Sequence, residues 1–479
     1  MEVLVRAFRG PLSLVLAGVL TLLCPLAPAT SAGSRPLVLD VQADAPILKA
    51  GEKHTIVARV LVKPDKTARR KRVPLAVALV LDRSGSMRSD GKMDNAKRGA
   101  AEALRMLDER DVAAVVAYDD KASVVLPTRS VGSPAPFRKA IDALRPGGST
   151  ALHDGVQTGA KQLRSYVDEG FAPRVILLSD GLANVGPSTT EELAALGRTL
   201  AGQGITITTI GLGLDYNEDT MTALAAESGG NAYFARDAGM LPGIFARDME
   251  DAVTLTAQRV RVVVECGESA RPVRVIGREG SVRGRTVEVP IHNLYGAEKY
   301  ALIEMEVPPQ KEGEVPLKLA QIRLEYTDAA TGKEAVDEAP LSVTFSRDGD
   351  AIAKARRGDI VAQTELARNA EAREEAVRLA DAGRTQEAVK LLNERALFSK
   401  SFGAGAFSAM SQADRQRMES EARALDTLTL GLTSGMSSEV RKEALYGAYA
   451  LKNQQTEVQT PLPVSPDVSS ADAASADAK

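Results

Sequence analysis

Between Val73 and about Val253 the chain alternates unbroken apolar runs with amphipathic stretches. The runs "PLAVALVLD", "DVAAVVAYD", "RVILLSD" and "ITITTIGLG" lack the in-out alternation of a half-exposed strand and read as strands of a parallel sheet buried on both faces. Between them apolar positions recur at helical spacing. Met93, Ala96, Ala100, Leu104 and Leu107 make one stripe, and Leu152, Val156, Ala160 and Leu163 another. A third helix is predicted from "PSTTEELAAL", with Ser188 and Glu191 spaced as a capping box behind Pro187. Strand-helix alternation of this kind implies a doubly wound α/β domain with a mostly parallel sheet.

From about Arg259 to Phe345 the period drops to two. "RVRVVVEC", "RPVRVIG", "RTVEVPI", "YALIEMEV", "AQIRLEYTD" and "LSVTFS" are short alternating strands with polar turns, the pattern of a β-sandwich. Ahead of the α/β block, "PLVLDVQA" and "HTIVARVLV" flank a "KAGEK" turn. Two strands alone are only marginally stable, so they are expected to join the sandwich, with the α/β domain inserted between. A separate hairpin packed on the α/β domain is the alternative. The basic run Lys63–Arg72 reads as a solvated linker rather than a cationic docking strip. Beyond residue 349 the chain is Ala/Glu/Arg-rich, and "EEAVRLADAGRTQEAVKLLNERA" reads as two helices joined at Asp381–Arg384, resembling one tetratricopeptide-type hairpin without a following repeat.

The expected organisation is therefore a signal peptide (1–32), N-terminal strands belonging to the sandwich (36–72), the α/β domain (73–255), the sandwich (256–348), a helical region (349–455) and a tail disordered by composition (456–479). A length of 479 residues suits several cores better than one. Arg6 and Arg9, the run "PLSLVLAGVLTLLCPLA" and the small-residue exit "PATSAGS" make the leader secretory, with cleavage expected after Ala32 or Ala29. Leu23 ahead of Cys24 argues against lipid attachment there. Export to a periplasm or beyond is the expectation. Cleavage would leave Cys266 alone, so the domains must be held by packing rather than by an intrachain disulfide. A net charge of −3 gives no reason to expect nucleic acid or an anionic membrane as partner, and no later segment is apolar long enough to span a bilayer.

The chemistry concentrates at three strand-to-helix loops. "LVLDRSGSM" ends a buried strand on Asp82, Ser84 and Ser86, three oxygen side chains spaced two apart. "PGGSTALHDG" adds Thr150 just ahead of a helix, and "ILLSDG" adds Asp180 at the end of a later strand. In doubly wound sheets the crevice lies outside the carboxyl ends of the strands, so acids distant in sequence converge there. Two carboxylates and three hydroxyls, with no thiolate or imidazole, suit Mg²⁺ or Mn²⁺, with Ca²⁺ as the other oxygen-seeking ion. At most five protein oxygens leave a position for an outside ligand.

"VLDRSGSM", "GGSTALHDG" and "LLSDGLANVG" resemble the three loops of a von Willebrand factor type A domain. The resemblance covers about residues 73–255 and implies that Asp82, Ser84, Ser86, Thr150 and Asp180 form its metal-ion-dependent adhesion site. It also implies a metal whose shell is completed by an acidic side chain of a partner protein. The flanks, including "GLGLDYNEDTMTALAAESGGNAYFA" and "YGAEKYALIEMEVP", are similar to exported bacterial type A proteins that carry a sandwich and a helical C-terminus.

Other signals are weaker. Arg357-Gly358-Asp359 spells an integrin-recognition tripeptide but falls at a predicted helix start. His153 reads as a helix-face residue, His54 and His292 as strand residues, and Cys266 as a half-buried strand thiol. No G-x-S-x-G, H-E-x-x-H, G-x-x-x-x-G-K or C-x-x-C is present, and nothing favours a catalytic triad. The expectation is an exported, non-enzymatic adhesion or scaffold protein. The alternatives are an accessory component of a membrane transport or channel-like assembly and, behind it, a metal-dependent hydrolase.

Overall fold

The structure, a computed structural model, describes residues 35–65, 72–401 and 410–455. The expected signal peptide with Cys24, most of the basic linker and the C-terminal tail lie outside the described residues.

Strand Leu75–Asp82 is the centre of a six-stranded sheet. It pairs in parallel with Val112–Tyr118 on one side and Ala172–Ser179 on the other. Thr206–Leu212 and Ala232–Ala235 extend one flank in parallel, while Ala122–Ser130 closes the other as an antiparallel edge. Every residue of Leu75–Asp82 is buried because helices cover both faces. Leu75, Val77, Leu79 and Leu81 pack with Met93, Ala96 and Ala100 of helix Lys92–Arg105 and with Phe245 of helix Leu241–Ala252. The alternate residues Ala76, Ala78 and Val80 pack with Val156, Ala160 and Leu163 of helix Leu152–Asp168, and with Leu193 and Leu224 beyond. Gly159 permits that closeness, since a Cβ there would lie 2.5 Å from Val80 Cγ2.

The chain enters the sandwich, leaves it for the α/β domain and returns at Ala257. One sheet runs Leu37–Ala43, His54–Pro64, Lys299–Val307, Arg271–Ile276. The other holds Thr286–Leu294, Ala257–Cys266, Gly313–Asp328 and Glu334–Ser346, with Ser281–Arg283 and Ile47–Lys49 at its edges. Val60 and Val62 face Val262, Val264 and Ile322 across a common apolar core.

Four long helices follow: Gly358–Asp381, Thr385–Ser401, Gln412–Thr433 and Ser438–Lys452. Ala376, Leu392, Leu425 and Leu432 form their core. The bundle is tied to both neighbours. Asp359 takes a hydrogen bond from Arg59 Nη1 on the sandwich (2.6 Å), which occupies the acid of the Arg-Gly-Asp tripeptide. Lys442, 2% exposed, donates to Tyr216 O (2.5 Å) and pairs with Glu218 of the α/β domain.

Two local features differ from the sequence reading. The capping box on helix Thr190–Gly202 is built by Thr189 and Glu192, one residue later than Ser188 and Glu191. Glu192 accepts from the backbone N–H groups of both Ser188 and Thr189 at 3.0 Å, which fixes the helix start at the later register. Ala122–Ser130 has only one partner strand and contains Pro127, so it lacks the unbroken apolar run of its neighbours.

Candidate metal centre

The central strand delivers Asp82 to its carboxyl edge with no exposed surface. The chain then folds back on that carboxylate: Ser84 N–H donates to Asp82 Oδ1 at 2.8 Å. A short 3₁₀ turn, Gly85–Arg88, carries Ser86 beyond it. Backbone bonds lace this loop to the next, from Gly85 N–H to Gly148 O (3.0 Å) and from Gly147 N–H to Arg83 O (2.7 Å). Gly148 has φ +83° and abuts Asp119, where a Cβ would come within 2.9 Å, so only glycine fits that crossing. Thr150 is held to the third loop in both directions. Its N–H donates to Asn184 Oδ1 (2.8 Å), and its carbonyl accepts from Asn184 N–H (3.2 Å).

The five oxygen residues converge. Ser86 Oγ donates to Asp180 Oδ1 at 2.6 Å, with Ser84 Oγ 2.9 Å from Ser86 Oγ and 3.5 Å from Asp180 Oδ1. A Cβ placed on Gly181 would lie 3.7 Å from both Ser86 Oγ and Thr150 Oγ1, which puts the threonine hydroxyl at the same rim. Asp82, Ser84, Thr150 and Asp180 are all buried. His153 makes no hydrogen bond to any of the five among the described residues.

The electrostatics are uneven. Burial raises Asp82 to about 6, and the neighbouring Asp180 charge adds to the shift, against hydrogen bonds from Ser84 and Ser179. Asp180, also fully buried, has a cation of its own: Lys92 Nζ lies 2.8 Å from Oδ2, with its side chain 12% exposed. Beneath the cup Tyr118 donates to Leu178 O (2.8 Å), and burial pushes its hydroxyl far above the usual range.

Sequence reasoning missed Ser179 and Lys92. Ser179 Oγ donates to Asp82 Oδ2 (2.9 Å), fixing the carboxylate from the far side. Lys92 opens the first helix just after Asp90 and Gly91, both at positive φ (56° and 64°), and that turn aims it back at the cup. The "SDGK" sequence was the available signal.

The donor set is chemically suited to a hard divalent cation. It offers two buried carboxylates and, at the same rim, the hydroxyls of Ser84, Ser86 and Thr150. Among those residues no three His, Cys, Asp or Glu side chains gather at one point, so hydroxyls would have to supply the remaining ligands.

Comparison with known proteins agrees with this architecture. The family model for the von Willebrand factor type A domain matches residues 76–247. The chain is 24% identical to an uncharacterized protein of Synechocystis sp. over 286 residues, which is 57% of this chain and 67% of that relative. It is 26% identical to the uncharacterized protein YfbK of Escherichia coli over 212 residues, or 43% of this chain but only 37% of the relative. In fold it resembles a von Willebrand factor type A protein from Catenulispora acidiphila, with TM-score 0.63, 19% identity, and coverage of 82% of this chain and 97% of the other. With a mostly parallel sheet, helices on both faces and three loops at the carboxyl edge, residues 76–247 match the von Willebrand factor type A domain in sequence pattern and share its fold.

Proposed function

We propose that this protein is an exported, non-enzymatic adhesion or scaffold protein that captures an acidic side chain of a protein partner through a divalent cation. Asp82, Ser84, Ser86, Thr150 and Asp180 would hold the ion, with Mg²⁺ or Mn²⁺ the best match to five hard oxygens and Ca²⁺ a third option. The observation that carries the reading is the convergence of those five side chains from three separate loops.

Charge explains why an acidic ligand would follow. Two ionised carboxylates opposed by Lys92 leave the cup at −1, and a divalent ion bound there turns it to +1 with a position open for an outside carboxylate oxygen. The chain's own part is to orient. Ser84 N–H and Ser179 fix the Asp82 carboxylate, Lys92 fixes that of Asp180, and Asn184 fixes the Thr150 loop. The leader of residues 1–32 would take the chain out of the cytoplasm. No helix of the described residues is long and apolar enough to cross a membrane.

Isothermal titration of the metal-stripped protein with MgCl₂ and MnCl₂ tests the reading, beside Asp82→Ala. Saturable binding by the wild type and none by the variant is expected, with metal-dependent partners dropping out when the variant is used as bait. Absence of binding in the wild type, or equal binding in both, would end it.

A further inference from the structure

Where helix Glu218–Ser228, the sandwich and the helical bundle meet, the protein forms a half-open cavity of about 480 Å³. It shares no residue with the oxygen cup. Its walls are rich in charge, and most of that charge is already matched. Glu374 is bound by Lys452 at 3.0 Å, and Asp219 and Asp381 are bound by Arg441 at 2.8 and 2.9 Å.

Two cations are left over, together with one exposed carboxylate, Glu279. Arg278 Nε and Nη1 are buried without a hydrogen-bond partner. Neither Arg278 nor Lys299 makes an ion pair among the described residues. The surroundings register the deficit consistently. Burial lowers Arg278 to about 10, and burial plus the Arg278 charge lowers Lys299 to about 8, opposed only by Asp251. The same two influences, with Lys299 adding, bring His292 down to about 4. A guanidinium enclosed without a counter-charge or hydrogen bond is costly, and folded proteins rarely leave one so. His292 also holds a left-handed backbone (φ 65°) within its strand, packed against Gly229, where a Cβ would lie 2.3 Å from His292 Cβ. Backbone outliers of this kind persist where surrounding structure holds them, often at ligand sites.

We propose that this cavity is a binding site for a phosphate-bearing small molecule whose dianion is clamped by Arg278 and Lys299. The unfilled Arg278 N–H groups call for an oxyanion, Lys299 adds a second positive charge that outweighs the exposed Glu279, and the planar guanidinium presents paired N–H donors to phosphate oxygens. The volume exceeds what a bare phosphate fills, and Ile291, Val377 and Leu445 give it apolar wall, so the ligand carries an organic remainder. Because the walls come from all three parts of the chain, the bound anion ties them together.

The test uses the full mature chain in EDTA, so that its outcome is independent of the oxygen cup. Thermal shift and calorimetry are run with inorganic phosphate and with phenyl phosphate, against NaCl at equal ionic strength. Both phosphates should raise Tm beyond the chloride control, with phenyl phosphate binding at least tenfold tighter than inorganic phosphate. Arg278→Met and Lys299→Gln should each weaken binding at least tenfold, while the unliganded Arg278→Met protein melts no lower than wild type because an uncompensated charge is gone. A phosphate shift equal to that of chloride overturns the proposal. So does an Arg278→Met protein that melts lower yet keeps the shift, which would make Arg278 a structural residue, or phenyl phosphate binding no tighter than phosphate.

Discussion

Replacing Asp82 by asparagine should stabilise the metal-free protein while removing its response to metal. Asp82 is fully buried, and its carboxyl is raised from 3.8 to about 6, chiefly by burial. A folded-state pKa above the unfolded value means that stability is fully present below pH 3.8 and is lost as pH rises through about 6. The shift is worth about 3 kcal/mol near neutral pH and about 1 kcal/mol near pH 4.5. Asparagine removes the charge and can keep the hydrogen bonds. Its carbonyl accepts from Ser84 N–H as Oδ1 does, and its amide donates to Ser179 Oγ, whose own proton turns to Gly181 O, 3.3 Å away. Urea denaturation in EDTA should therefore place Asp82→Asn above wild type by up to about 3 kcal/mol near pH 7.5, with the gap narrowing toward pH 4.5. Adding Mg²⁺ should reverse the order, because only the wild type gains binding energy on the folded side. The reasoning fails if the variant is less stable than wild type in EDTA at both pH values, or if Mg²⁺ stabilises the two equally.

Lys92→Met should raise Mg²⁺ affinity by roughly tenfold in calorimetry, since it removes a cation 2.8 Å from Asp180 that opposes the incoming charge; a fall in affinity would mean that Lys92 serves instead to hold Asp180 in place. Lys442→Met should cost about 3 kcal/mol in urea denaturation, because it strips the buried Glu218 of one partner and leaves Tyr216 O without its donor. Proteolysis should then release the C-terminal helices earlier than in wild type. Sulfate, which stays a dianion across the range, should bind the three-way cavity with affinity that falls as pH rises through about 8. There Lys299 loses its proton because of its burial and the charges of Arg278 and Arg174, against Asp251, with His292 already neutral; a flat titration from pH 7 to 9.5 would remove Lys299 from the site.

Much of this architecture was legible because its signals are local. The apolar run ending on Asp82 fixes a buried strand and its exit, and the spacing to Ser84 and Ser86 is set by a single turn. The parallel core follows from runs that have no polar face. The edge strand Ala122–Ser130 was not legible, since an edge needs neither a continuous apolar run nor freedom from proline. Ser179 was absorbed into a buried strand because sequence cannot tell a serine that packs from one that holds a carboxylate. Lys92 required knowing that Asp90 and Gly91 both turn left-handed, which reverses the direction in which the helix start points.

The three-way cavity marks a different kind of limit. Arg278 is one of 60 basic residues, and nothing beside it in sequence distinguishes it. What singles it out is a buried guanidinium whose Nε and Nη1 have no acceptor while most of the charge around it is paired. Glu374, Asp219 and Asp381 are each committed to a lysine or arginine from the last helix, and two sandwich cations remain beside the exposed Glu279. That remainder exists only once three segments well separated in the chain have packed. A site defined by an unmatched charge therefore cannot be read from a motif, whereas a cup built from matched oxygens on adjacent loops can. The same reasoning separates the two candidate sites experimentally. EDTA should abolish binding at the cup and leave the cavity untouched, and Arg278→Met should do the reverse.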